Sequence, residues 1–107
     1  MDSFKAVGAL GALAHDSRLA VFRLLVQEGD ELSAGIIAEQ MGLTPQALSF
    51  HLKDLVHADL IAPRYEGRRI FYRARYDSMN SLIQFLTENC CRGSTCGVAS
   101  DPSCSSC

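Results

Sequence analysis

Two short apolar periodicities of helical pitch lie between Ser33 and Leu60, separated by only three residues, and this spacing constrains the chain more than any other feature. The second opens at Thr44, which can cap a helix, followed by Pro45, whose fixed backbone suits a first helical position. Leu48, Leu52, Leu55 and Val56 then share one face, while Gln46, Ser49, Phe50, Lys53 and His57 fall on others. The first pattern runs from Leu32 or Ser33 to Met41, with Ile36, Ile37 and Met41 expected to face inward, and Gly42 stops it. Gly35 weakens that helix slightly. Gly42-Leu43-Thr44 leaves room only for a tight turn, so the two predicted helices must pack directly on one another.

Downstream, Ile61 and Ile70-Phe71-Tyr72 are β-rich, Glu66-Gly67 supplies a turn, and Pro63 suits an edge strand. Helix, tight turn, helix, hairpin is the element order of a winged helix-turn-helix. Net charge is −2, which by itself does not suggest a polyanionic partner. The distribution does. Six of the ten basic residues (Lys53, Arg64, Arg68, Arg69, Arg73 and Arg75) fall between positions 53 and 75, against three acidic ones, Asp54, Asp59 and Glu66. One positive surface on an otherwise acidic body is expected.

The first predicted helix carries Phe4, Val7, Leu10 and Leu13 at every third position. A second, capped by Asp16 or Ser17, carries Leu19, Phe22, Leu25 and Val26 and ends near Gly29. The plainest role for both is core or dimer packing. A final helix, capped by Asp77 or Ser78, places Met79, Leu82, Ile83 and Leu86 on one face. With 107 residues there is one hydrophobic core, spanning residues 1–89, and such a domain is often completed by dimerisation. Residues 90–107 form a second region of Ser, Gly and Cys with almost nothing to bury, expected to be a flexible tail. No apolar run reaches membrane-spanning length. The stretch from Val7 to Ala14 is short and Gly/Ala-rich for a secretory signal, so a cytoplasmic protein with no membrane partner is expected, its five cysteines reduced thiols.

Three segments resemble the ArsR family of small metalloregulatory repressors. Leu13-Ala-His-Asp-Ser-Arg-Leu-Ala-Val-Phe-Arg-Leu-Leu25 is similar to the family's second-helix signature. Leu43 to Ile61 resembles its recognition helix, Ser-x-His-Leu followed by Leu-x-x-Ala-x-Leu, with Asp59 where Gly is usual. Glu66-Gly-Arg-Arg-Ile-Phe-Tyr72 resembles its wing. The resemblance covers residues 5 to 88. It implies a mainly α (α+β) winged helix-turn-helix with N- and C-terminal dimerisation helices, a homodimer on double-stranded operator DNA, and release of DNA when metal binds. Two family metal sites are missing. No Cys-x-Cys pair stands in Glu31-Leu-Ser-Ala-Gly-Ile-Ile37, and the last helix offers Asp77 and Glu88 but no His. The tail resembles instead the branch that senses trivalent arsenic with cysteines after the last helix.

The first residues of a recognition helix reach base edges in the major groove. Thr44, Gln46, Ser49, Phe50, His51 and Lys53 are therefore the candidate DNA-binding residues of the helix, with Arg68 and Arg69 at the wing. Gln46 and Ser49 offer amide and hydroxyl groups, Phe50 an apolar contact for a thymine methyl, and Lys53 a backbone contact. His51 matches the family position, and an internal hydrogen bond is its alternative role. His57 reads as an ordinary surface residue. For metal, Cys90-Cys91-x4-Cys96 can gather three thiols, the number that trivalent arsenic, or antimony(III), takes in a pyramid. Zinc prefers four ligands, and the spacing Cys104-Ser-Ser-Cys107 leaves a four-thiolate zinc, cadmium or lead site open. Thiol redox sensing is a further alternative. An enzyme is not expected: a thiol oxidoreductase built on the tail lacks a scaffold that would lower a thiol pKa. A constitutive DNA-binding module with an irrelevant tail is the third class. Operator binding with and without arsenite separates all three.

Overall fold

A computed structural model describes residues 1–88. Helix α1 (Ser3–Leu13) starts where the Asp2 carboxylate accepts the Lys5 backbone N–H at 2.8 Å. Its inward face is made of small residues, Ala6, Ala9 and Ala12, all buried. The expected stripe points the other way: Phe4, Val7 and Leu10 are 87%, 67% and 43% exposed. Core packing is thus excluded for these three side chains. Alanine lets the helix axis approach α2 and α4 closely, which the larger residues could not do.

Helix α2 (Asp16–Glu28) is capped by His15, not by Asp16 or Ser17: the His15 Nδ1 accepts the Ser17 backbone N–H at 3.1 Å. Val21, Phe22 and Leu25 are buried, whereas Leu19 is 42% exposed. The helix ends at Gly29, whose φ of +73° is the left-handed conformation that glycine adopts at no steric cost. Strand β1 (Leu32–Ser33) follows, so the next helix does not include Leu32. Leu32 pairs with Tyr72 instead, a partner forty positions away that local periodicity cannot reveal. Ser33 caps α3 (Ala34–Met41), its hydroxyl accepting the Ile36 backbone N–H at 3.3 Å. Within these two turns Ile37 is fully buried while Ile36 is 45% exposed, contrary to expectation. Successive helical residues lie about 100° apart, and so narrow a helix buries one of the two.

Gly42, at φ +66°, turns the chain, and the Leu43 N–H closes back on the Ala38 carbonyl at 3.0 Å. Helix α4 (Pro45–His57) begins as expected: the Thr44 hydroxyl accepts the Ala47 N–H at 3.2 Å and Pro45 occupies the first turn. Leu48, Leu52 and Leu55 are buried. The helix closes with the Leu60 N–H on the Leu55 carbonyl at 3.1 Å. That closure needs a left-handed residue at position 59, and Asp59 supplies it at φ +60°.

Strands β2 (Ile61–Glu66) and β3 (Arg69–Ala74) form an antiparallel hairpin, with Glu66 opposite Arg69 and Ile61 opposite Ala74. Gly67, at φ +60°, is the first of two loop residues, as a type II′ turn requires. The sheet order is β1-β3-β2, and Pro63 lies on the edge strand opposite Tyr72. Helix α5 (Tyr76–Leu86) starts one residue or more before its expected caps. Arg75 precedes it without a side-chain cap, held by its own N–H to the Leu60 carbonyl at 2.8 Å. Leu82 is buried, Ile83 and Leu86 are 39% and 56% exposed, and α5 lies against α1. The core is centred on Val21, Leu25, Ile37, Leu48, Leu55, Leu60 and Ile61, where α2, α3 and α4 meet the foot of the hairpin. The mainly α, winged helix-turn-helix architecture is the observed one. Among the described residues no helix is long and apolar enough to cross a membrane.

Candidate nucleic-acid interface

The buried leucines of α4 fix which side of the helix faces away from the core. Gln46, Ser49, Phe50 and Lys53 are all exposed on that side, and Phe50 is 71% exposed. Spacings of three, four and seven residues align them in one outward stripe. Thr44 sits exposed at the head of this stripe with its hydroxyl oxygen already accepting from Ala47. Capping leaves that hydroxyl its proton to donate. Arg68 and Arg69 are exposed at the hairpin tip and form no ion pair among the described residues. Together with Ile70 they border a concavity whose far wall is Ser33–Ile36 at the start of α3 and Glu39 a turn further on. The wing and α3, the first helix of the two-helix unit, therefore share one open surface.

The basic cluster is smaller than its sequence. Arg64 donates from Nε to both Glu31 carboxylate oxygens, at 2.9 and 3.0 Å, and from Nη1 to Glu66 at 2.9 Å, and it lies 4.7 Å over the Phe71 ring. The Arg64 hydrogen bonds hold the Glu31 carboxyl below its usual range. Arg75 pairs with Asp77 at 3.1 Å and Asp59 at 3.7 Å, and its hydrogen bond lowers the Asp77 pKa in the same way. These two guanidinium groups serve the fold. Lys53, Arg68, Arg69 and Arg73 are the exposed cations of the segment left without an ion-pair partner among the described residues.

His51 is set apart from the exposed stripe. It is partly buried at the corner where α1 turns into α2, its ring centroid 4.8 Å from that of His15 and tilted by 45°. Its Nδ1 is enclosed and has no hydrogen-bond partner among the described residues. Burial, then the charges of His15 and Arg18, hold its pKa below the ordinary histidine value, with Asp54 opposing them. The internal hydrogen bond of its alternative role is thus not made at Nδ1, and the ring lies beside that of His15. Beside this pair, Arg18 joins three helices: Nε donates to the Ala12 carbonyl at 2.7 Å and Nη1 to the Asp54 carboxylate at 2.8 Å. Neither His15 nor Arg18 stands out in the sequence except as part of the motif His15-Asp-Ser-Arg18.

The candidate metal ligands Cys90, Cys91 and Cys96, like Cys104 and Cys107, lie outside the described residues. Among the described residues no group of three or more His, Cys, Asp or Glu side chains could hold a metal ion.

A two-helix unit with an exposed polar stripe, flanked by a basic wing, defines a winged helix-turn-helix DNA-binding protein. Residues 13–64 match the family described as "Helix-turn-helix domain". The chain is 32% identical to the nodulation protein NolR of Rhizobium meliloti over 87 residues, covering 81% of this chain and 70% of NolR. A homodimeric winged helix-turn-helix DNA-binding domain, Mb0332 of Mycobacterium bovis, a possible ArsR-family regulator, superposes with a TM-score of 0.65 at 28% identity, covering 79% of this chain and 80% of that one. A crystal structure of a possible transcriptional regulator for arsenical resistance also superposes at 0.65, with 27% identity, covering 73% and 79% of the two chains. The chain belongs to the ArsR-like winged helix-turn-helix transcriptional regulators. It is a DNA-binding regulator and not an enzyme.

Proposed function

We propose that this chain is a homodimeric repressor that leaves its operator when trivalent arsenic, or antimony(III), binds the tail thiols Cys90, Cys91 and Cys96. The observation that carries the reading is the placement of these thiols. The first stands four residues after Leu86, the last residue of α5, and the described residues offer no competing metal cluster. Three thiolates are the donor set that a soft, three-coordinate trivalent ion takes. The similarity to a regulator named for arsenical resistance supports the same direction.

The exposed side chains of two neighbouring helices support dimerisation. Phe4, Val7 and Leu10 of α1 and Ile83 and Leu86 of α5 present large apolar groups to solvent. Large apolar groups exposed on neighbouring helices of a small domain mark an interface. The homodimeric state of Mb0332 supports a second copy as the occupant. With α5 at that interface, a clamp closing just beyond its end acts on the relative placement of the two α4 helices. By linkage, the ion must bind the DNA-free arrangement more tightly than the DNA-bound one. In the free arrangement the two outward stripes no longer match successive major grooves.

Gln46, Ser49 and Phe50 read bases; Thr44, Lys53, Arg68 and Arg69 contact the backbone or the minor groove. The spacing Cys104-x2-Cys107 favours one alternative, a four-thiolate zinc, cadmium or lead site, with thiol redox sensing next. Titration of the operator complex with arsenite, and then with cadmium, separates these readings.

A further inference from the structure

Two imidazoles lie close together outside both the DNA-reading stripe and the tail. His15 is the N-cap of α2 and His51 projects from the middle of α4, with 4.8 Å between ring centroids. His15 can accept the Ser17 N–H at Nδ1 only while that nitrogen carries no proton. His51 buries its own Nδ1 without a partner, so a proton added there finds no acceptor in the seated position. The other charged groups around the pair are Arg18 and Asp16 from α2 and Asp54 from α4. Arg18 takes up the Asp54 carboxylate at 2.8 Å. On the α1 side, the Ala12 carbonyl is already bonded to Arg18. His57, further along α4, lines a groove with Arg18 and Asp54 that includes neither imidazole of the pair.

We propose that the His15–His51 pair is an acid-sensitive seat for the recognition helix, and that operator affinity falls as the pair takes up a proton. The cost of protonation is local and double. A cationic His51 faces the Arg18 guanidinium and a second imidazole, and a doubly protonated His15 releases the α2 cap. Either event favours an α4 rotated or shifted from the geometry in which Gln46, Ser49 and Phe50 reach the groove together.

The sign follows from the side of the equilibrium that holds the proton. Burial and the neighbouring cations keep His51 below its ordinary value of 6.5 in the seated state. The seated state therefore binds fewer protons than the released one, and affinity is full above that value and declines below it. One linked proton gives at most a tenfold loss per pH unit. This direction is opposite to that of a histidine lying on phosphate, whose protonation would strengthen binding. The inference needs DNA binding by α4 but not the tail cysteines.

The test is a pair of measurements on the full-length protein between pH 7.5 and 5.5, under reducing conditions. The first is the His51 imidazole midpoint by NMR, with and without operator duplex. It is expected below the ordinary histidine value in the free protein and lower still on the operator. A midpoint that rises on DNA, or stays where it was, overturns the proposal. The second is operator affinity against pH for the wild type, His51→Gln, His15→Asn and His57→Gln. Asn at position 15 keeps an acceptor for the Ser17 N–H without a titrating ring. The decline should persist in His57→Gln and flatten in the other two. An unchanged profile in both His15→Asn and His51→Gln overturns it. If His51→Gln does not fold, the NMR midpoint of the wild type decides alone.

Discussion

Arg18 of α2 donates to the Asp54 carboxylate of α4 at 2.8 Å and, through the same guanidinium, to the Ala12 carbonyl of α1 at 2.7 Å. Its side chain is only 19% exposed. One residue thus ties the helix with the outward apolar stripe to the last turn of the DNA-reading helix. Arg18→Ala should destabilise the fold by about 1–3 kcal/mol, because a part-buried carbonyl and a carboxylate both lose their donor. Arg64→Ala, at an open surface, should lower the melting temperature less despite removing more hydrogen bonds. Thermal melts of the two variants check the order; equal shifts would contradict it.

Base reading and backbone contact separate by their dependence on sequence and salt. Gln46→Ala or Ser49→Ala should each weaken operator binding by about 1–3 kcal/mol while leaving non-specific binding nearly unchanged. Arg68→Ala or Arg69→Ala should weaken binding to all duplexes and reduce the salt slope by about one. Binding isotherms at several salt concentrations measure both. Four variants indistinguishable from wild type would remove α4 and the wing from the interface.

Asp59 holds the left-handed turn after α4 at φ +60°. Asp59→Val should cost about 1–2 kcal/mol, the penalty of a left-handed backbone for a residue with a bulky side chain. Asp59→Gly should be tolerated, since relief of the backbone offsets loss of the 3.7 Å contact with Arg75. Chemical denaturation distinguishes the two; equal stability of the Val and Gly variants would be inconsistent with the turn.

This position also shows what could be read from the chain in advance. Asp59 was noticeable as a departure from Gly, and the structure supplies the reason for Gly in that place. The caps and leucine stripe of α4 were legible because they are local: Thr44, Pro45, Leu48, Leu52 and Leu55 lie within three turns. The orientation of α1 was not. Phe4/Val7/Leu10 and Ala6/Ala9/Ala12 repeat with the same period, and periodicity does not say which stripe the protein buries. The strand at Leu32 and the neutralisation of Arg64 by Glu31 depend on partners more than thirty positions away. His15 escaped notice as a cap because aspartate and serine beside it are commoner there. The outward stripe of the candidate site was legible; the seat of His51 required the tertiary contact with His15.

Val7 and Leu86 lie on the exposed apolar surface and outside the core, at 67% and 56% exposure. Val7→Glu with Leu86→Glu should therefore leave a folded monomer that has lost operator affinity. Sedimentation at micromolar concentration reports the mass, and circular dichroism the fold. A wild type that is already monomeric would remove the homodimer from the proposal. Leu82 is a poorer probe, since it is buried and its replacement would unfold the chain.

The most direct measurement is release of a fluorescent operator duplex by arsenite from the wild type and from the Cys90→Ser/Cys91→Ser/Cys96→Ser variant. The expected result is release from the wild type, with the variant binding the duplex equally well and holding it at every arsenite concentration. Cys104→Ser/Cys107→Ser should respond like the wild type. Release from the triple variant, or a wild-type complex indifferent to arsenite, would contradict arsenic sensing by Cys90, Cys91 and Cys96.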